Sequence, residues 1–279
     1  MVARYAGAAV IAGAFALLAV SAQAPAAQPQ RIVTLAPSLT EIAYAVDCGR
    51  LLVADTTYDD FPAPARSLPH VADLVNVDLE RLSALHPTKV IALHDQEREA
   101  APIASRLHID VMYLPNRNID DIFTDISRVG QLCGTSSAAA KLSRVMHARI
   151  AAVAKRAARY SDRPRVFFLL DLPGFTAGSQ SFLNDLIALA GGVNTAGTIH
   201  QAYPNVSSES VLAMDPEVLI IGRAVQLGPH VLAQEPWRSI SAVKNGRVMR
   251  PPSDDIIERN GPRIVEGLEW LVTAIHSGK

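Results

Sequence analysis

The chain has 279 residues, of which 26 are basic and 27 are acidic, and 49% are hydrophobic. This near-zero net charge leaves no electrostatic footprint for nucleic acid, so we expect no nucleic-acid partner. The chain is long enough to bury one large or two modest hydrophobic cores.

The first 27 residues have the layout of a secretory signal peptide. Arg4 precedes an apolar run at 6–20, and small residues and prolines follow that run. The run is somewhat short for a helix that spans a bilayer. A cleaved signal and an exported, soluble protein are therefore the prediction, and an uncleaved membrane anchor is the alternative.

Short apolar runs alternate with helical segments along the rest of the chain. The first run, at 31–35, precedes a predicted helix in which Ser38 is expected to be the N-cap and Glu41 to complete a capping box. Further apolar runs end in polar or turn residues, and apolar runs also alternate with helical segments in the second half of the chain. Strands that alternate with helices in this way predict parallel sheets covered on both faces.

A segment rich in alanine, lysine and arginine separates the two halves. It covers 136–161 and contains neither glycine nor proline, so we predict one helix about 35 Å long. The predicted units are a signal peptide at 1–27, an amino-terminal lobe at 28–135, the connecting helix at 136–161 and a carboxy-terminal lobe at 162–279. The predicted fold class is α/β, with two doubly wound lobes joined by one long α-helix.

One segment of the chain occurs twice. Residues 75–93 recur without a gap as residues 204–222, and Glu80 and Glu209 occupy the same position in the two copies. A repeated helix, proline and apolar strand indicates two similar lobes with a cleft between them. Helix capping alone could account for the two acids. Their duplicated position instead favours docking onto a partner with two-fold symmetry.

Ligands of open parallel sheets bind beyond the carboxyl ends of the strands. Tyr58 and Phe175 follow predicted strands, and Tyr203 lies in a loop before the second repeat. Aromatic side chains offer flat, stiff contact area for a large conjugated ligand, although each could instead pack under its own loop. His94 also follows a strand, and it could ligate the metal of a haem or corrinoid or be a hydrogen-bonded loop residue.

The chain has two cysteines, Cys48 and Cys133. In an exported protein they could form a disulfide or remain two buried thiols. No spacing of cysteine and histidine suggests a metal site. No motif of a serine hydrolase, a metalloprotease or a nucleotide-binding enzyme occurs in a usable context. We therefore expect a binding protein and not an enzyme.

The chain resembles the periplasmic substrate-binding proteins of ABC importers that use one long connecting helix (class III), and within them the vitamin B12-binding branch. The motifs that carry the resemblance cover nearly the whole mature chain in family order, namely RIVTLAPSLTEIAYAV, TTYDDFP, VDLERLSALHPTKVIAL, GFTAGSQSFLNDLIALAGGVN, YPNVSSESVLAMDPEVLIIG and ERNGPRIVEGL. The resemblance implies a periplasmic monomer without a cofactor of its own, which captures a corrinoid and delivers it to the importer. Haem, for which only His70 lies near the expected rim, or a ferric siderophore is the alternative ligand.

The resemblance also implies roles for individual residues. Glu80 and Glu209 match glutamates that form salt bridges with arginines on the two membrane-spanning subunits. Tyr58, Phe175 and Tyr203 match positions that line the corrinoid cleft.

Other matched positions lie at the far side and the floor of that cleft. Asp254 and Arg259 belong to the loop that closes its far side. Leu74, Leu93 and Tyr203 stand where the best-known vitamin B12 binder of the family carries tryptophans, so the resemblance implies a thinner aromatic lining here.

Overall fold

The computed structural model describes residues 30–73 and 76–277. The predicted signal peptide and Leu74 lie outside the described residues. Nowhere in the described ranges is there a helix long and apolar enough to cross a membrane.

The first half of the chain forms a sheet in which every strand pairing is parallel. The sheet has the order β3-β2-β1-β4-β5, so the chain reverses its direction of travel across the sheet between β1 and β4. The central strands are buried on both faces, as parallel strands require. Its strands are β1 (Ile32–Thr34), β2 (Leu52–Thr56), β3 (His70–Ala72), β4 (Lys89–Leu93) and β5 (Asp110–Leu114), and its helices are α1 (Pro37–Ala45), α2 (Leu79–Ala84), α3 (Glu97–Leu107) and α4 (Ile119–Leu132).

The connecting helix α5 runs from Ser136 to Ala157, over 22 residues and about 33 Å. It ends before the predicted residue 161 because Arg159 and Tyr160 donate their backbone N–H groups to carbonyls three residues back, which forms a turn. The helix packs against α4 and α11. Its buried residues belong to one hydrophobic cluster that includes side chains from both halves of the chain. The two lobes therefore share a core.

The second half forms a smaller and mixed sheet. The strands β10, β9 and β6 are parallel, whereas β7 is antiparallel to the carboxyl end of β6 and β8 is parallel to its amino end. The prediction of a second purely parallel lobe is corrected here, because a turn at 172–174 reverses the chain directly after β6. The elements are β6 (Arg165–Asp171), β7 (Phe175–Thr176), α6 (Phe182–Leu189), β8 (Val193–Asn194), α7 (Ser208–Met214), β9 (Val218–Ile221), α8 (Pro229–Leu232), α9 (Ser241–Lys244), β10 (Val248–Met249), α10 (Asp255–Glu258) and α11 (Ile264–His276).

The repeat in the sequence is also a repeat in the structure. Each copy forms a helix and then a central strand, α2 and β4 in the first lobe and α7 and β9 in the second. Each helix is followed at the matched position by a residue with positive φ, His86 at 46° and Asp215 at 41°. In both copies of the repeat, this backbone conformation turns the chain back toward the sheet.

The start of α1 differs from the prediction. The helix begins at Pro37, and its N-cap is Ala36, which has no side chain to accept a hydrogen bond. Proline suits this first position because its missing N–H group would have no helical partner there. Ser38 therefore lies inside the helix, and the predicted capping box with Glu41 is wrong. The carboxylate of Glu41 is buried and has distant partners instead.

Cys48 and Cys133 form a disulfide in the structure, with their Cα atoms 5.7 Å apart. Cys48 follows α1 and Cys133 follows α4, and both side chains are buried in the shared core. The bond therefore fixes the ends of two neighbouring helices of the first lobe.

Candidate functional site

Two pockets lie beyond the carboxyl ends of the strands and meet at one residue, Glu258. The first has a volume of about 330 Å³ and the second about 350 Å³. The first pocket takes its lining from both halves of the chain, namely Leu35, Ala36, Pro37, Ser38, Leu93, Asp95, Gln96, Glu99, Asn116, Glu258, Arg259 and Asn260. The second is lined by Leu170, Asp171, Phe175, Leu183, Tyr203 and Glu258. Together they form an interlobe cleft at the point where the first sheet reverses its strand order.

Gln96 holds the floor of the first pocket in place. Its side-chain amide donates to the carbonyl of Leu35 at 2.7 Å and accepts from the backbone N–H of Leu93 at 3.0 Å. These bonds join the ends of β1 and β4 where the two strands separate. Local sequence patterns do not reveal this role of Gln96, because Gln96 and Leu35 are 61 residues apart.

Phe175 and Tyr203 form the aromatic wall of the second pocket. Their ring centroids are 6.1 Å apart with an interplanar angle of 35°, and the side chains are 37% and 38% exposed. Desolvation, together with the nearby carboxyl groups of Asp95 and Glu258, raises the pKa of the Tyr203 hydroxyl. Tyr203 is therefore a neutral hydrogen-bonding group with an exposed ring face.

Glu258, which the sequence analysis did not select, lies where the pockets join. Its Oε1 atom is buried without a hydrogen-bond partner, and a Cβ atom at Gly222 would lie 3.0 Å from it. Burial is the main cause that raises the pKa of Glu258 to about 8, and the charges of Asp254 and Asp255 add to it. At neutral pH this side chain is mostly a neutral carboxylic acid.

Most of the charged lining is acidic. Asp95 and Glu99 line the first pocket, and desolvation raises the pKa of Asp95 although its side chain remains accessible. Among the described lining residues, Arg259 is the one basic side chain. The described lining of these two pockets therefore offers no unpaired cation to an anionic ligand.

The charge of Arg259 is matched by three carboxylates. Arg259 lies 3.0 Å from Glu41, 2.8 Å from Asp60 and 2.7 Å from Asp255, and Arg263 makes a second pair with Glu41 at 2.6 Å. We call these five residues the ionic latch. The latch connects α1 and the loop after β2 with the segment around α10, so Arg259 bridges the two halves of the chain.

Asp254 has a supporting position. Its carboxylate accepts hydrogen bonds from the backbone N–H groups of Arg223 at 2.8 Å and Ala224 at 3.2 Å. These bonds fix the loop that follows β9. Asp254 is not among the residues that line the two pockets, and it acts on the cleft through the position of that loop.

The remaining predicted ligand contacts divide into two groups. Leu93 is 8% exposed and lines the first pocket. Tyr58 and His94 are solvent-exposed and line neither pocket. The carbonyl of Tyr58 accepts from Arg259 at 3.2 Å, and His94 Nδ1 lies 2.6 Å from Glu97. His94 thus begins a short 3-10 helix, and its ring is hydrogen-bonded to a neighbouring acid.

Glu80 and Glu209 lie in the first turns of α2 and α7, and both are exposed. The N-cap of each helix is polar, since Asp78 accepts from a backbone N–H group in α2 and Ser207 does so in α7. Hydrogen bonds from its own backbone and from Ser207 lower the pKa of Glu209. Both carboxylates lie at the surface and do not pack in the core, so both are accessible to a partner.

Metal ligation has no support in the part of the chain that the structure describes. There, no group of three or more histidine, cysteine, aspartate and glutamate side chains could hold a metal ion. The cleft offers an aromatic wall and an acidic floor to a ligand.

Comparisons with known proteins agree with this geometry. Residues 32–254 match the family model described as periplasmic binding protein. A curated relative, an uncharacterized ABC transporter substrate-binding lipoprotein YvrC of Bacillus subtilis, is 26% identical over 89% of this chain and 81% of its own length. The crystal structure of the periplasmic vitamin B12-binding protein BtuF of Vibrio cholerae is 28% identical with a TM-score of 0.76, over 88% of this chain and 96% of that one.

A haem binder is similar to about the same degree. The periplasmic heme-binding protein RhuT of Roseiflexus sp. RS-1 is 25% identical with a TM-score of 0.78, over 88% of this chain and 98% of that one. The expected class III fold is thus shown, and the ligands named for these neighbours differ. The chain belongs to the periplasmic binding protein family and is a substrate-binding protein of the ABC importer type.

Proposed function

We propose that the protein is exported to the periplasm, captures a corrinoid in the interlobe cleft and delivers it to the membrane-spanning subunits of an ABC importer. The observation that carries the choice of ligand is the lining of the two pockets, where an aromatic wall faces acids and no described lining residue is an unpaired cation. A corrinoid presents a large conjugated ring with neutral carboxamide groups at its edge. Such a ligand matches a wall of aromatic faces and a floor of hydrogen-bond acceptors.

Haem fits this lining less well. Its two propionates are carboxylates, and Asp95, Glu99 and Glu258 would lie near them without an unmatched arginine or lysine in the described lining. His70 is held at 2.7 Å by the buried Asp55. An anionic ferric siderophore meets the same lack of free cations.

The importer would recognise Glu80 and Glu209. Both acids are exposed, and each stands in the first turn of the helix that its lobe repeats. Two like charges in equivalent positions suit a partner with two basic sockets related by a two-fold axis.

Isothermal titration with cyanocobalamin and with hemin, followed by visible absorption spectra, tests the choice of ligand. We expect cyanocobalamin to bind with one site per chain and hemin to show no specific binding. Specific binding of hemin with a shifted Soret band, and none of cyanocobalamin, would overturn the proposal.

The docking role is tested with a double variant, Glu80→Gln and Glu209→Gln. We expect unchanged corrinoid affinity and loss of stimulation of the importer's ATPase in reconstituted membranes. The matched control changes Glu97 and Glu235, which are exposed acids outside the repeat, to glutamine. If the wild type and the Glu80/Glu209 variant stimulated the ATPase equally, the docking role would be wrong and these acids would serve only to stabilise the first turns of their helices.

A further inference from the structure

The two pockets of the cleft differ in chemistry. The second pocket is formed by the side chains of Leu170, Phe175, Leu183 and Tyr203 together with two acids. The first pocket is rich in carboxyl, amide and hydroxyl groups. A ligand that fills both must therefore have an apolar face and a polar edge.

Most polar groups of the first pocket already have partners within the protein. The amide of Gln96 is bonded to Leu35 and Leu93, and the guanidinium of Arg259 belongs to the ionic latch. Glu99 accepts from the exposed Arg98 at 2.8 Å. These groups shape the pocket and do not offer donors to a ligand.

The groups left for a ligand are mainly acceptors. Asp95 makes no side-chain ion pair among the described residues, and its carboxylate lines the pocket. Glu258 has one oxygen buried against Gly222, which leaves Oε2 for contact with a ligand. Asn260, which is 3% exposed, donates to the carbonyl of Asn118 and has an Oδ1 atom without a hydrogen-bond partner. This excess of acceptors calls for N–H donors on the ligand.

We propose that the first pocket is a subsite for primary carboxamides, in which Asp95 and Glu258 accept N–H groups from the polar edge of the ligand. The inference rests on the proposed function and adds which chemical form of the corrinoid is captured. The ring then lies against Phe175 and Tyr203, and its amide-bearing edge enters the acidic pocket. Corrinoids whose edge is fully amidated bind, whereas biosynthetic forms that still carry carboxylates at that edge are rejected.

The physical reason for rejection is twofold. A carboxylate in place of a carboxamide has no N–H group to donate, so the acceptors of Asp95 and Glu258 are left without partners. It also places a negative charge beside Asp95 in a partly desolvated cleft, where like charges repel strongly. Glu258 can donate one hydrogen bond while it is protonated, but it cannot neutralise the charge of a carboxylate.

The test compares two probes that share the corrin ring. Dicyanocobinamide carries amides at the ring edge, and dicyanocobyrinic acid carries carboxylates there. In titrations at pH 7.5 we expect the amide form to bind at least about 100-fold more tightly, since a site built for N–H donors rejects analogues that lack them. Equal affinities for the two probes would overturn the subsite.

Variants locate the selection in the first pocket. Asp95→Asn should reduce the ratio of the two affinities by about tenfold or more, because a nearby unpaired charge contributes at least that much. Glu258→Met removes the carboxyl oxygen that accepts an N–H group from the ligand, so it should lower the ratio by weakening binding of the amide form. Glu97→Gln, an exposed acid outside the pockets, is the matched control and should leave the ratio unchanged. Circular dichroism melts show whether each variant is folded. If both folded pocket variants kept the wild-type ratio, the assignment to Asp95 and Glu258 would be overturned.

The result also separates this inference from the proposed function. If both corrinoids bind with equal affinity, the corrinoid function stands and the carboxamide subsite fails. If neither corrinoid binds while hemin does, the proposed function fails.

Discussion

Replacing Glu41 with glutamine should destabilise the protein by about 3 kcal/mol, because this carboxylate is the buried centre of the ionic latch. Its side chain is 2% exposed, and those of Arg259 and Arg263 are each 16% exposed. It accepts from Arg259 at 3.0 Å and from two nitrogens of Arg263 at 2.9 and 2.6 Å. Removal of one partner of a buried ion pair leaves uncompensated charge, with a typical loss of about 3 to 5 kcal/mol.

The estimate lies at the lower end of that range because Arg259 keeps Asp60 and Asp255 after the substitution. Arg263 keeps weaker interactions, namely a contact with Asp255 at 4.0 Å, the nearby charge of Glu266 and its position over the Phe61 ring. Arg263 therefore carries most of the loss.

Urea and thermal denaturation followed by circular dichroism measure this loss. For a chain of this size, about 3 kcal/mol corresponds to a fall in Tm of about 6 to 12 °C. The matched control is Glu269→Gln, which breaks an exposed pair with Arg149 and should cost less than about 1 kcal/mol. If the two variants lost the same small amount, the latch would not be a major link between the lobes.

Three further predictions concern other parts of the fold. Between pH 4.5 and about 8 the folded protein keeps a proton on Glu258 that the unfolded chain releases, so this group lowers the free energy of unfolding as the pH rises. Glu258→Gln should remove this contribution to the pH dependence of the free energy of unfolding, which amounts to at most about 5 kcal/mol above pH 8. If thermal melts from pH 4 to 9 gave the variant and the wild type the same dependence of stability on pH, the prediction would be wrong. Replacing Cys48 and Cys133 with alanine removes a link between positions 85 residues apart and should cost about 4 kcal/mol in urea titrations of unreduced samples. Gly267→Ala should lower the Tm, although alanine favours helices by about 1 kcal/mol, because the added Cβ would lie 2.1 Å from the carbonyl of Ile256; a higher Tm would refute this packing.

The architecture could be predicted because a repeated segment and a long uninterrupted helical segment are visible in the sequence. The repeat at 75–93 and 204–222 predicted equivalent helix and strand pairs, and α2 with β4 and α7 with β9 are those pairs. The unbroken alanine-rich segment likewise predicted α5. The mixed pairing of the second sheet could not be predicted, because β7 and β8 have two residues each and are too short to show periodicity.

Some residues that line the pockets could be predicted from a strand end or from the resemblance. Leu93, Phe175, Tyr203 and Arg259 were selected in one of these ways, and they line the pockets. Glu41 was missed because a local pattern offered a capping role, whereas its partner Arg259 is 218 residues away. Glu258 was missed for a related reason, since only the packed structure reveals its buried oxygen and its close contact with Gly222.

Glu209, Glu41 and Glu258 have different roles because the fold surrounds each side chain with different groups. Glu209 faces solvent, and the hydrogen bonds that lower its pKa keep it ionised and available to a basic partner. Glu41 is buried opposite two arginines and holds the lobes together. Glu258 has one buried oxygen and no ion pair among the described residues, and its raised pKa makes it mostly neutral at the floor of the cleft. A fall in pH from 7 to 6 should therefore leave the charge of Glu209 intact and only increase the protonation of Glu258, so the proposed docking and ligand capture would both persist in a mildly acidic periplasm.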